Sequence, residues 1–292
     1  MKFKKVEISI ILVVLIVISG ITLAFNYSPT QNESLSIHEN KSEKSYQILQ
    51  QWELPKDLVE ISGISWLGNQ KIACVQDEEG IIYIYNLKTA KIEKTIEFGD
   101  KDDFEAITIF NENAYALRSD GTIFEVKNYN NSDFKTRKYD TFMEGKNNTE
   151  SLALDVKNNR LLMAAKDRDP FSKKSKGIYA FNLETKKLQK KPVYHLNFED
   201  EIFDKVRKKK IKKTFSPSEI AVHPQTQEIY VLEGKKPKLL ILNPDGSPKR
   251  LIELDKEEFR QPEGMTFAPN GDLYISNEGK KENATILKVA LK

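Results

Sequence analysis

Five short stretches recur along this chain at a nearly constant spacing, and no other feature restricts its fold as much. They are "EISGISWLG" at 60–68, "DDFEAITIF" at 102–110, "NNTESLALD" at 147–155, "SPSEIAVHP" at 216–224 and "QPEGMTFAP" at 261–269. Aligned on Ser62, Glu105, Glu150, Ser218 and Glu263, they stand 43, 45, 68 and 45 residues apart. A period near 45 built of short strands marks the blades of a propeller. Each unit continues in the same order. After a turn comes a second strand: "KIACV", "NAYAL", "RLLMAA", "EIYVL" or "DLYIS". A third follows: "IIYIYNL", "TIFEV", "GIYAFNL", "KLLILN" or "TILKVAL". The first four units add a fourth: "KIEKTIEF", "FKTRKYDTF", "KPVYHLNF" and "KRLIEL". Alternation and β-branched or aromatic content support strands throughout.

The last unit stops at Lys292 with three strands. Its missing fourth is expected to be "YQILQQWEL" at 46–54, which precedes the first repeat and would join the two ends of the ring. Closure removes exposed sheet edges. The expected fold is therefore all-β, a five-bladed β-propeller over 46–292 closed by an N-terminal strand. A six-bladed ring, with its extra blade inside the long step from 150 to 218, is the alternative. The surplus there is small and coincides with "EDEIFDKVRKKKIKKTF", 199–215, which reads as a short basic helix.

Ahead of the ring, residues 6–25 are almost wholly apolar, with Glu7 at the edge and Lys2, Lys4 and Lys5 before them. Such a run is long enough to cross a bilayer, and flanking lysines favour a cytoplasmic N-terminus. The expectation is a single-pass membrane anchor at 1–25 and a flexible tether at 26–45, with the propeller outside the cytoplasm. A cleaved signal peptide, with "TLA" before Phe25 as its processing site, is the alternative; the protein would then be secreted or periplasmic. Outside residues 1–25 there are 43 basic and 42 acidic residues. That balance argues against nucleic acid as a partner. The single cysteine, Cys74, cannot form a disulfide within the chain and reads as a small buried hydrophobe.

In a propeller the first strand of each blade lines the central channel, so Glu105, Glu150 and Glu263 are expected to face one another. Three converging carboxylates repel, and burial adds to the cost. A bound divalent cation would resolve the conflict, and loosely arranged oxygen ligands favour calcium over magnesium. Ser62 and Ser218 complete the ring. A second acidic row, Asp77, Asp120, Glu233 and Glu278, recurs 15 residues after the aligned positions, with Asp167 at 17. Asp77, Asp103, Glu219, Glu233 and Glu278 join the two serines as a second tier of ligands. The alternative is that the glutamates only accept backbone N–H groups at the blade starts. Arg118, Lys166 and Arg168 follow second strands and are expected at the surface.

With the repeats laid out, the chain resembles the SdiA-regulated family, distantly related to NHL-repeat propellers. The matching stretches are "EISGISW" with "CVQDEEG", "DDFEAI", "NNTESLAL", "PSEIAV" with "YVLEG", and "QPEGMTF" with "LYISNEG". The resemblance covers about residues 46–292. It implies a five-bladed propeller at the cell envelope with a calcium site, and members tend to carry an N-terminal hydrophobic segment. This chain departs from the pattern at Ala106 and Ser151, where the family tends to have glycine. It departs again at Glu219 in that position and at Pro217, where an aspartate is usual.

Two functions follow as expectations. One is a membrane-tethered propeller that binds calcium and a ligand or partner. The other is a calcium-dependent hydrolase of an ester, lactone or phosphoester. His38, His195 and His223 are scattered and no GxSxG elbow occurs, which argues against a histidine base, though a carboxylate could serve. The basic run at 205–213 could touch anionic headgroups.

Overall fold

Twenty-one strands fall into five sheets in a computed structural model that describes residues 44–292 except 211, 212 and 281. Blade one holds β2 (Ile61–Gly68), β3 (Lys71–Gln76), β4 (Glu79–Asn86) and β5 (Lys91–Glu97). Blade two holds β6 (Phe104–Phe110), β7 (Asn113–Arg118), β8 (Ile123–Lys127) and β9 (Lys135–Tyr139). Blade three holds β10 (Thr149–Asp155), β11 (Arg160–Ala165), β12 (Ser175–Asn182), β13 (Lys187–Leu188) and β14 (Tyr194–Asn197). Blade four holds β15 (Pro217–Val222), β16 (Ile229–Glu233), β17 (Lys238–Leu242) and β18 (Pro248–Glu253). Blade five holds β19 (Pro262–Phe267), β20 (Leu273–Asn277) and β21 (Thr285–Leu291), and its outer strand is β1 (Tyr46–Glu53). The ring therefore closes as the sequence predicts, and no sixth sheet exists among the described residues.

Each blade is a four-stranded antiparallel meander. In blade three the outer edge is split between β13 and β14, which both pair with β12. Pro192 lies in the gap and has no N–H to give the ladder. Five apolar clusters hold the blades together, one at each interface. Between blades one and two, for instance, Val75, Ile82 and Ile96 meet Phe104, Ile107 and Phe124. The residues two places after the aligned position, Ile64, Ile107, Leu152, Ile220 and Met265, go one to each cluster. Cys74 is fully buried in such a cluster, and burial holds its thiol protonated.

β1 is anchored by more than its ladder with β21. The Tyr46 hydroxyl donates to Glu258 at 2.6 Å, Trp52 Nε1 donates to Leu87 O at 2.8 Å, and Leu54 N donates to Ala284 O at 2.8 Å. The 199–215 insertion differs from the expected helix. One 3-10 turn, Glu201–Phe203, capped by Asp200, is its only helix longer than isolated turns among the described residues. The segment is pinned by Phe203 and Phe215, both fully buried. A lysine run with no apolar stripe gives a helix nothing to pack with. The expected anchor and tether at residues 1–43 lie outside the described residues. Among those described, no helix is long and apolar enough to cross a membrane.

The inner strands crowd at the axis. A Cβ on Gly63 would stand 2.5 Å from Ala106 Cα, and one on Gly264 would stand 2.4 Å from Ser62 O. Gly264→Ala is therefore expected to destabilise the ring by about 1–3 kcal/mol, because backbone rather than a flexible side chain must move. A chemical melt that matches the parent would show that the axis has slack the structure denies it.

Candidate functional site

The aligned residues owe their direction to a repeated backbone irregularity. Pairing jumps between Phe104 and Ala106, Thr149 and Ser151, Pro217 and Glu219, and Pro262 and Gly264. The residue skipped each time is Glu105, Glu150, Ser218 or Glu263. In blade one the jump spans Ile61 to Ile64 and includes Ser62. These are β-bulges, which leave one residue unpaired and re-aim its side chain. The same device in five blades sends five side chains out of the strand alternation toward the axis.

Three of them meet there. Lys166, directly after β11, pairs with Glu150 Oε2 and lies 3.9 Å from Glu263 Oε2. Its side chain is only 11% exposed, so the surface position expected for it is wrong. Arg168 is exposed, and Arg118 is held by Asp120 and Asp102. Lys166 is positioned by its own backbone: its carbonyl accepts from the buried Lys176 Nζ, and its N–H donates to Asn148 O at 2.8 Å. Asn148 Nδ2 also donates to Glu150 Oε1 at 2.9 Å. The loop from 166 to 177 is tied down by Asp169, which accepts from Gly177 N at 2.7 Å and from the Tyr179 hydroxyl.

A fourth carboxyl joins them. Glu219 follows the blade-four bulge and is 1% exposed. Its Oε1 accepts from Ile220 N at 2.8 Å and from Leu152 N in blade three at 2.9 Å, while its Oε2 is buried with no hydrogen bond. Glu263 is boxed in, since a Cβ on Gly234 would stand 3.1 Å from its Oε1. Glu105, half-buried, makes no hydrogen bond or ion pair with a described residue.

Lys166 is the ammonium paired within this group, and Lys235 and Lys280 act on it from further off. Burial, reinforced by Glu150 and Asp103, pushes Glu105 up to about 10. Burial raises Glu263 to about 7 against the pull of Lys166. Burial likewise lifts Glu150, and it lifts Glu219 well above the usual carboxylate range. Lys166 loses charge stability to burial, yet Glu263, Glu150 and Glu105 together keep it protonated.

The second-tier residues separate. The Ser218 hydroxyl donates to Pro262 O at 3.2 Å and stitches blades four and five, and Ser62 Oγ turns back to Glu60 O at 3.4 Å. Glu233 is taken by Lys238 at 2.7 Å. Asp77 and Glu278 form an acidic corner with Glu60, next to the axial cluster, whose Glu263 charge also acts on Glu278. Burial and Glu60 raise Asp77 to about 6, and burial with a hydrogen bond to Glu60 raises Glu278 to about 7. Asp103 is exposed beside it. Among the described residues, no group of three or more His, Cys, Asp or Glu side chains is already drawn together as for a metal ion. Lys166 and Glu219 were the members least visible in the sequence. The visible signal was an imbalance: three acids recurring by blade, with no base recurring beside them.

At the other end of the inner strands the chemistry reverses. Trp66, Ile109, Leu154, Val222 and Phe267, all four places after the aligned residues, line a cavity of about 650 Å³. Ser65 and Thr266 also line it, accepting from Ile109 N and Trp66 N across blade boundaries at 3.1 Å.

These elements define a five-bladed propeller with a carboxylate cluster at one axial mouth and an apolar cavity at the other. Its sequence matches the family described as SdiA-regulated over residues 38–281. The chain belongs to that family. No match was found among curated proteins. Solved structures of similar fold include a Myxococcus xanthus glutaminyl cyclase, with TM-score 0.58 and 12% identity over 85% of this chain and 96% of that one. A Bacteroides thetaiotaomicron structural-genomics protein of unknown function gives TM-score 0.51 and 11% identity over 84% and 72%. A luciferin-regenerating enzyme gives 0.50 and 11% over 84% and 94%. At such identities the likeness is one of fold.

Proposed function

We propose that the chain is a membrane-tethered propeller outside the cytoplasm that binds calcium at its axial carboxylates, together with a ligand or partner. The observation that carries the reading is the charge mismatch: four inward carboxyls, one ammonium paired among them, and a buried Glu219 Oε2 with no hydrogen bond. Glu105, Glu150, Glu219 and Glu263 would hold the ion. All are oxygen donors from separate blades, as a hard cation needs. When bound, the ion would neutralise the mouth and present a Lewis-acidic centre there. Residues 6–25 support the tether through their length and apolarity alone.

Cation and protons compete for the same oxygens, which makes the test a pH series. The folded-state pKa values of Glu263 and Glu105 stand above their ordinary value of 4.5. Protonation therefore favours the fold. Its contribution is complete below about pH 4.5, and it is lost as pH rises through about 7 for Glu263 and toward about 10 for Glu105. In chelator, stability is expected to fall from pH 5 to pH 8. Calcium should restore about 2.7 kcal/mol at a hundredfold excess over Kd, and more at pH 8 than at pH 5. A melting temperature indifferent to calcium at both pH values overturns the reading.

A hydrolase is the second reading, favoured by the burial of Glu263 beside the proposed ion, which raises its pKa to about 7. Chelator-sensitive turnover of an ester or phosphoester that Glu263→Gln abolishes would select it.

A further inference from the structure

Beside the carboxylate mouth, blade four carries the opposite charge. The insertion, the turn between β16 and β17, and the segment after β18 enclose a pocket of about 390 Å³. Lys205, Lys208 and Lys213 line it from the insertion, Lys235 and Lys236 from the turn, and Lys256 from beyond β18. Lys238 lines it too, but its ammonium is taken by Glu233 and by Lys236 O. Glu253 is the only acidic lining residue. None of the other six lysines forms an ion pair with a described carboxylate. Some lysines elsewhere in the ring are matched, as Lys71 is with Glu93 and Lys288 with Asp272, so what sets this group apart is its convergence on one concave surface.

The pocket is made by the fold rather than by one run of sequence. Thr214, 1% exposed, accepts from Lys208 N at 2.9 Å, which holds these two residues together. Phe203 and Phe215 pin both ends of the insertion into the core. The facing wall is set by the β16–β17 turn, whose Gly234 abuts the Glu263 carboxylate. Val206, Pro237 and Leu254 supply apolar lining. All six lysines are exposed, and clustered positive charge on a concave surface draws anions, with lysine ammoniums acting as point charges for phosphate.

We infer that this pocket binds the phosphate groups of an anionic ligand, next to the cation mouth, with Lys235, whose charge also acts on Glu150 and Glu263, standing between the two. The volume exceeds what a single phosphate fills, so the ligand carries adjacent phosphates or presents several headgroups together. A soluble phosphate polymer and the headgroups of anionic phospholipid share this chemistry.

The test uses the full-length chain in non-ionic detergent micelles, in metal-free buffer, with tripolyphosphate titrated calorimetrically. Binding is expected, together with a rise in melting temperature and an affinity that falls steeply with salt. The variant K205Q/K208Q/K235Q/K236Q/K256Q should bind at least tenfold more weakly, with a shallower salt dependence. Glu150→Gln, which removes a negative charge that acts on Lys235, should bind at least as tightly as the parent, which separates this inference from the cation reading. Phosphatidylglycerol doped into the micelles will displace tripolyphosphate if headgroups are the source, and will leave it bound if a soluble polymer is. The inference is overturned if tripolyphosphate gives neither heat nor a thermal shift. It is overturned equally if the five-lysine variant, folded by its own melt, binds with parental affinity.

Discussion

A chain that begins at Pro55 is expected not to melt cooperatively, whereas one that begins at Lys44 should. The missing residues fill the outer strand of blade five and pair with β21 from Tyr46↔Leu291 to Glu53↔Thr285. They also remove the buried side chains of Tyr46, Trp52 and Leu54 from two interblade clusters. At roughly 2–3 kcal/mol for each side chain, with the ladder added, the loss approaches 10 kcal/mol. Whole domains are stable by about 5–15 kcal/mol. β21 would also become an open edge and invite aggregation. A synthetic peptide spanning residues 44–55 should partly restore the melt. A cooperative transition at the parental temperature, without the peptide, would show that four outer strands suffice.

The second large effect is at Lys166. Lys166→Met keeps the stem and removes the only ammonium paired within the axial cluster. Taking one partner from a buried ion pair costs about 3–5 kcal/mol, because the other charge stays behind. In a domain of this size that is on the order of 10 °C in Tm. The loss should be seen in chelator at pH 8 and shrink toward pH 5, where protons replace the lysine. Calcium should rescue the variant, and bind it about tenfold or more tightly than the parent, since a competing positive charge has gone. An unchanged Tm at pH 8 would show that the lysine carries none of the cluster's charge. Rescue by pH but not by calcium would leave protons as the natural counter-charge.

The strand order could be read from sequence because each blade repeats a local pattern: alternation, a turn, then a β-branched run. Closure was legible for the same reason, since "YQILQQWEL" alternates and the last unit lacks a fourth strand. The bulges were not. They depend on where the hydrogen-bond register slips, and Glu105 reads the same whether it is paired or skipped. Lys166 was hidden by its context. A lysine after an apolar strand ordinarily reaches solvent, and only the Asp169-pinned loop and the Lys176 contact turn this one inward. The departures at Ala106, Ser151 and Glu219 have a structural counterpart. Gly63 and Gly264 stand at the same place and have no room for a Cβ, while blade four opens enough there for a glutamate that bonds to its neighbour's backbone. The insertion misled because charge density says nothing about backbone path; Phe203 and Phe215 set the path.

The strand that closes the ring also imposes an order of events. β1 is made before any blade, and its partner β21 is made last. A nascent chain emerging from the ribosome can complete blades one to four by local hairpins, but β1 must wait, unpaired, until β21 appears. Closure then joins points almost the whole chain apart, the kind of contact that slows folding. The slow step therefore waits for β21, and until it occurs two edges, those of β1 and β21, are open to any other strand they meet.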